Sequence, residues 1–446
     1  MKRLRLVMLL SLTLSVTSTA AAQDDDCIFR IEHIGGQGTT QETPSGTNYF
    51  AGGGVRLFCE GTQIRMESDS LAAYNGGEIT YFIGNVHYRD STMALDADRG
   101  TYFQDRSLWE ARGNVYTRNL ETGSTLRGPS LDYFRATPGV RSEPEMYAIG
   151  RPQIDYAMTD STGQAGDPYV IVADRVRLIG DDRIWAGGAV TIDRSDFAGR
   201  GDSLWLDAGL QRRGALIGGR PEIAGTGDNP YRLTGERIDL ELDQQELRRV
   251  VSVDSAHAVN EEWDLLADTI GVHLANNTIE RIEAWGSRLR PLAQSEARTV
   301  SGDSVVLQLP GGQLRELWSF GDARLETAPD SLTGESDWLA GDTVTALFTV
   351  ADSVTGEGSA LDRLIARSDA RSFRQVRSDD APFGRPSLNY VRGSVIVITM
   401  KEPPGEGVAR VDVRGQVEGV QLEPVEGAPA PDSLPEDASP GERRGS

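Results

Sequence analysis

The chain has 446 residues, with 67 Asp and Glu against 45 Lys and Arg and a formal charge of −22. So acidic a surface repels phosphate backbones and anionic bilayers, which argues against nucleic acid as a partner and against broad adhesion to membranes. Its 50 glycines are an excess over ordinary usage and call for frequent turns.

The first predicted element is an export signal, residues 1–22. Lys2, Arg3 and Arg5 form a basic start, Leu6 to Val16 an apolar run, and Ala20-Ala21-Ala22 a small-residue cleavage site ending near Ala22. The run is too short to span a bilayer. Cys27 follows Asp24-Asp25-Asp26 and so lacks the small residue that precedes a lipidated cysteine. Cleavage removes three basic residues and no acids, taking the charge to about −25. Residues 23–60 read as a leader segment, with a Gly/Thr-rich loop from Gly35 to Gly54. Cys27 and Cys59 are the only cysteines. In an oxidising compartment they are candidates for a disulfide, the alternative being two unpaired thiols.

From Ile64 onward the chain alternates. Ile64 and Met66 share one face, with Arg65 and Glu67 on the other. Phe82, Val86 and Tyr88 share a parity that Asn85, His87 and Arg89 oppose. Period-two alternation predicts half-buried strands and an all-β fold. A short phrase then recurs: Ser68-Asp69-Ser70, Ala97-Asp98-Arg99, Ala173-Asp174-Arg175, Gly201-Asp202-Ser203, Gly235-Glu236-Arg237, Ala267-Asp268-Thr269, Gly302-Asp303-Ser304 and Gly341-Asp342-Thr343. Between it come Gly84-Asn85-Val86, Gly113-Asn114-Val115 and Gly188-Ala189-Val190, with weaker copies at Gly219, Gly286 and Gly321. Both phrases read as turns, so that each unit has two turns and at least two strands. Self-similarity at a near-fixed period predicts stacked units that bury a face only against their neighbours.

Ala136 to Pro168, rich in Pro and Gly, reads as a loop-rich insertion. The expected divisions are 61–155, a first β-jellyroll, and 156–422, further β-repeats. Residues 423–446 are Pro-, Glu- and Ser-rich and are expected to be disordered.

No catalytic, metal or cofactor constellation stands out. His33, His87, His257 and His273 form no zinc motif and read as surface strand residues. Gly35-Gly36-Gln37-Gly38-Thr39 lacks the lysine of a phosphate loop, and no nucleophile elbow occurs. Arg200-Gly201-Asp202 is one copy of the turn phrase. The repeated acids lie too far apart for a calcium roll and read as acceptors for turn amides. What remains is the inner face, with Ile64, Met66, Phe82, Val86, Tyr88, Met93, Leu95, Trp109 and Val115 as candidates. It is either a closed core or an open groove, and periodicity does not distinguish the two.

The runs Ile64-Arg65-Met66-Glu67-Ser68-Asp69, Ile79-Thr80-Tyr81-Phe82-Ile83-Gly84-Asn85-Val86 and Leu95-Asp96-Ala97-Asp98-Arg99 resemble the OstA-like domain of periplasmic lipopolysaccharide-transport proteins of the LptA type, also found in LptD. Ala111-Arg112-Gly113-Asn114-Val115-Tyr116 and Leu126-Arg127-Gly128 resemble its next unit, so the likeness covers about residues 61–135. It implies an elongated, V-shaped antiparallel β-jellyroll with an apolar groove. By motif position Ile64, Met66, Phe82, Val86 and Tyr116 would contact lipid; Tyr88 and Leu95, on the alternating inner face, join them. Tyr116 has the parity opposite to Val115, so one of these two assignments fails unless a bulge separates them. The resemblance further implies a periplasmic, non-catalytic carrier that moves lipopolysaccharide or a related lipid to the outer membrane, at whose inner face it would act. Its partners would be other lipopolysaccharide-transport proteins, or further copies head to tail, joined by edge-strand addition.

Two other readings compete. One is a closed β-solenoid scaffold of the cell envelope. The other is a polysaccharide-acting β-helix enzyme, with Asp69 and Asp98 as its carboxylates.

Overall fold

The computed structural model describes residues 29–157, 167–226, 230–243, 246–275, 278–349, 360–377, 384–401 and 407–424. The export signal, Cys27 and the tail from residue 425 lie outside them. The described residues form antiparallel strands joined by short connections, with three single-turn 3-10 segments and no α-helix. The all-β expectation holds. Two compact units divide the chain: Met1–Ala157 with Ala173–Trp185, and Met158–Val172 with Ala186–Ser446.

In the first unit, strands β1 (Phe29–Ile34) and β2 (Gly38–Thr43) both pair with β3 (Gly46–Cys59). From β3 the sheet continues through β4 (Arg65–Tyr74), β5 (Ile79–Arg89), β6 (Met93–Phe103), β7 (Leu108–Asn119) and β8 (Thr125–Phe134), each paired with the next. β8 then pairs with Glu145–Ile149 and Gln153–Tyr156, and Glu145–Ile149 with Arg175–Ile179. The segment expected to be a leader is therefore largely strand, because Val55, Leu57 and Cys59 alternate inward just as later strands do. The stretch expected to be a loop-rich insertion likewise holds two ordered strands.

The recurring phrases also lie elsewhere than expected. Asp69, Gly84-Asn85, Asp98 and Gly113-Asn114 fall in the middle of β4 to β7, where the ladder register breaks on every strand. The phrases are bends within strands, not turns between them. A bend threatens the alternation, since a slip of one residue turns the apolar set outward. β5 and β7 avoid this with two consecutive left-handed residues: Gly84 at φ 77° with Asn85 at 45°, and Gly113 at 78° with Asn114 at 45°. Gly and Asn are the residues that adopt this region at least cost. Phe82 and Val86 therefore both point inward on either side of the step. β4 and β6 instead gain a residue at the bend and change parity: Met66 and Ser68 point inward before it, Leu71 and Ala73 after it.

The second unit repeats the scheme. Left-handed pairs recur at Asp254-Ser255, Gly321-Asp322 and Ser368-Asp369, again where the register shifts. Its ladder ends on Ser387–Met400, which carries two short strands, Val408–Arg414 and Glu418–Leu422, on separate stretches of its length.

Candidate functional site

The interior of the first unit is built around Trp109 on β7. Its indole lies with ring centroids 5.0 Å from Phe82, 5.4 Å from Tyr88 and 6.1 Å from Tyr102. Ile64, Met66, Phe82, Val86, Tyr88 and Leu95 are each at most 2% exposed. The structure thus brings six of the seven lipid-contact candidates together, as a closed core and not as the walls of an open groove.

Tyr116 is a correction. The register break on β7 lies between Arg112 and Val115, with no irregularity between Val115 and Tyr116. Val115 and Thr117 are buried, and Tyr116, of opposite parity, stands half-buried on the outer face. There the Arg127 guanidinium sits 5.3 Å from its ring centroid. The two border a shallow hollow with Asn114, Gly128 and Pro129.

One end of the core is polar. The hydroxyls of Tyr88 and Tyr133 donate to Asp90 Oδ2 at 2.7 and 3.2 Å, and the Thr92 and Met93 amides donate to Oδ1 at 2.8 and 2.7 Å. Burial, and then the Asp90 charge, push both phenols above their ordinary pKa. The hydroxyls therefore stay protonated as donors across the physiological range.

The repeated acids serve the bends. Asn85 Nδ2 donates to Asp69 and Asn114 Nδ2 to Asp98, each at 2.9 Å. Asp268 accepts the amides of Ser287, Arg288 and Leu289 at 2.8, 2.9 and 3.0 Å. Asp174 faces Arg151 at 3.3 Å and Asp303 faces Arg290 at 3.1 Å. Amide acceptance was the expected role; the side-chain amide of Asn at two of the bends is an addition to it. Three histidines sit beside a carboxylate on a neighbouring strand: His87 with Asp96, His257 with Asp264 and His273 with Glu283. Among the described residues no group of three His, Cys, Asp or Glu side chains is arranged to hold a metal ion. Cys59 is buried and disulfide-bonded; Cys27, its expected partner, lies outside the described residues.

Sequence reasoning missed the edge strands that the described residues leave in each unit. At the first unit's edge, inward-facing apolar residues are partly uncovered: Ile31, paired with buried Leu57, is 45% exposed, and Tyr49, paired with buried Ala73, is 37% exposed. In the second unit Val411 and Val413, opposite buried Ile398 and Ile396, are half-buried on the last strands. Alternation in Phe29–Ile34 was the available signal, masked by the glycines that follow.

No protein-family model matches this chain, and no curated protein matches it. Among solved structures, it is similar to LptH of Pseudomonas aeruginosa, described as the LptA-homologous periplasmic component of the conserved lipopolysaccharide transport device. Identity is 15%, the match covers 36% of this chain and 95% of that one, and the TM-score is 0.24. A score that low carries no argument about this chain.

Proposed function

We propose that the protein is a non-catalytic periplasmic bridge that holds lipopolysaccharide or a related lipid and joins like β-proteins, or further copies of itself, through its terminal strands. The observation that supports this best is the construction of the sheet ends. β1 and β2 pair with β3 alone among the described residues, as Val408–Arg414 and Glu418–Leu422 pair with Ser387–Met400 alone. These strands thus offer unpaired backbone groups and inward apolar side chains that are exposed, as Ile31 is, or half-buried, as Val411 and Val413 are. Open edges of this kind are ordinarily suppressed; as joints they accept an added strand. A non-catalytic role is supported by the engagement of Asp69 and Asp98 at bends.

Because Trp109 closes the interior, lipid contact is assigned first to the open end at Ile31 and Tyr49. Each methylene shielded there would contribute about 0.8 kcal/mol. Passage farther inside would require the Trp109 cluster to separate. The same closed packing favours the second reading, a scaffold without lipid.

A photo-crosslinking amino acid at Ile31 or at Ile83 tests the choice. These positions have similar exposure, 45% and 49%, but Ile31 faces inward and Ile83 outward. In cells that make lipopolysaccharide, adducts are expected at Ile31 and not at Ile83. A folded protein with no adduct at Ile31 would leave the scaffold reading.

A further inference from the structure

Within the second unit, one hollow on the outer face of the sheet is lined by Arg200, Gly219, Arg220, Glu222, Arg232, Thr234, His257 and Val259 and has a volume of about 450 Å³. Four of these side chains stand in a single row across four strands. Arg200 is paired with Glu222, Glu222 with Thr234, and Thr234 with His257. Residues directly opposite one another in a ladder share a face, so the row is fixed by backbone register and not by side-chain flexibility. Arg232, paired with Val259, stands in the adjoining row, and Arg220 enters from the bend at Gly219.

Glu222 sets the geometry. Its carboxylate is only 17% exposed and lies between two guanidiniums, 2.8 Å from Arg200 and 3.6 Å from Arg232. Those arginines are otherwise 67% and 61% exposed, which leaves most of their N–H donors turned to the hollow and to water. At the rim Glu236 lies 3.4 Å from Arg220, and Asp264 holds His257 at 2.9 Å. Arg200, Arg220 and Arg232 thus bring three guanidiniums to the hollow, with Glu222 among them and Glu236 and Asp264 at the rim.

We infer that this hollow binds a phosphate monoester carried on a sugar-sized, hydroxylated group. The exposed N–H groups that Glu222 leaves free on Arg200 and Arg232 suit a phosphate, which carries about −1.5 to −2 charges at neutral pH. Planar guanidiniums match phosphate oxygens two at a time, with Arg far better suited than Lys to that geometry. The volume lies in the range of small-molecule sites, about 300–1,000 Å³, and so exceeds what a bare ion fills. The Thr234 hydroxyl and the free lone pairs of Glu222 supply partners for sugar hydroxyls. The phosphate could come from a free sugar phosphate or from a lipid headgroup, and the inference stands independently of the lipid-bridge reading.

Calorimetric titration of the full-length protein tests it, with glucose 1-phosphate as probe, and glucose and sodium chloride at matched ionic strength as references. Saturable binding of glucose 1-phosphate is expected, with affinity reduced at least 10-fold in Arg200→Gln/Arg232→Gln and unchanged in Arg89→Gln, an exposed arginine of the first unit. Arg220→Gln alone, which leaves the Glu222 bridge intact, gives a second test and should weaken binding in a fold that melts like wild type. Flotation with phosphatidylcholine vesicles, with or without phosphatidic acid, separates the sources. Binding confined to glucose 1-phosphate assigns a free sugar phosphate, and capture by phosphatidic acid vesicles that the double variant loses assigns a headgroup. Heats no larger than those of the references, or an affinity untouched by both variants, would overturn the proposal.

Discussion

The side-chain amide of Asn85 donates to the Asp69 carboxylate at 2.9 Å, across the bend shared by β4 and β5. Asn114 and Asp98 repeat the relationship one unit on, at the same 2.9 Å. In both, the residue before the asparagine is a glycine whose place for a Cβ is already filled by the carboxylate. Acid, glycine and asparagine thus form one device, which bends two strands together and keeps their apolar residues inside.

This device predicts non-additive mutations. Gly84→Ala should destabilise the protein by about 1–3 kcal/mol, combining left-handed strain with overlap on Asp69. Asp69→Ala alone should cost about 0.5–1.5 kcal/mol for the lost hydrogen bond. The double variant should cost less than the sum, because removing the carboxylate frees the space. Urea midpoints of the four proteins check this, and strict additivity would refute it.

Trp109→Ala should cost about 3–5 kcal/mol, since it removes the side chain that Phe82, Tyr88 and Tyr102 surround. Trp109→Phe should cost less. If the interior can admit an alkyl chain, a folded Trp109→Ala protein should bind a fluorescent fatty acid that wild type excludes. Equal uptake by both proteins would mean that the indole is not the barrier.

Acid should weaken one clasp in the second unit. Arg377 donates to both oxygens of Asp330 at 2.6 and 2.7 Å, and the Leu332 and Thr333 amides add bonds at 2.9 and 3.1 Å. The Arg377 hydrogen bonds, foremost, hold the Asp330 carboxyl well below the usual carboxylate range. A depressed folded pKa stabilises at neutral pH and is lost as pH falls below about 4, the unfolded value for Asp. Arg377→Gln should therefore melt below wild type at pH 7, with the gap narrowing at pH 2.5. A gap that is constant with pH would show that the contact does not titrate.

Native protein should show no titratable thiol until it is reduced. If Cys27 is the partner of Cys59, the bridge closes a loop of about 30 residues, and Cys59→Ser should cost about 2–5 kcal/mol. A reactive thiol in the native exported protein would separate the two cysteines.

Much of the fold could be read directly from residue order. Alternation from Ile64 to Val115 identified strands and their inward residues, because a side-chain period of two depends only on the local backbone. The acid and Gly-Asn phrases could be found as repeats for the same reason. Their place within strands was hidden, since Gly-Asn is equally a hairpin signal and only pairing across the sheet tells a bend from a turn. Tyr116 was misassigned by motif position, although its parity against Val115 already pointed outward.

The sequence by itself determined an all-β chain of alternating strands with recurring left-handed phrases, because alternation and left-handed preferences are properties of neighbouring residues. Tertiary structure alone decided that Trp109 fills the space between Phe82, Tyr88 and Tyr102, that Ile31 stays exposed and Val413 only half-buried, and that Arg200 and Arg232 meet around Glu222 with Arg220 lining the same hollow. Each of these depends on the distance between side chains on different strands, which ladder register and sheet closure set and which no spacing along the chain records.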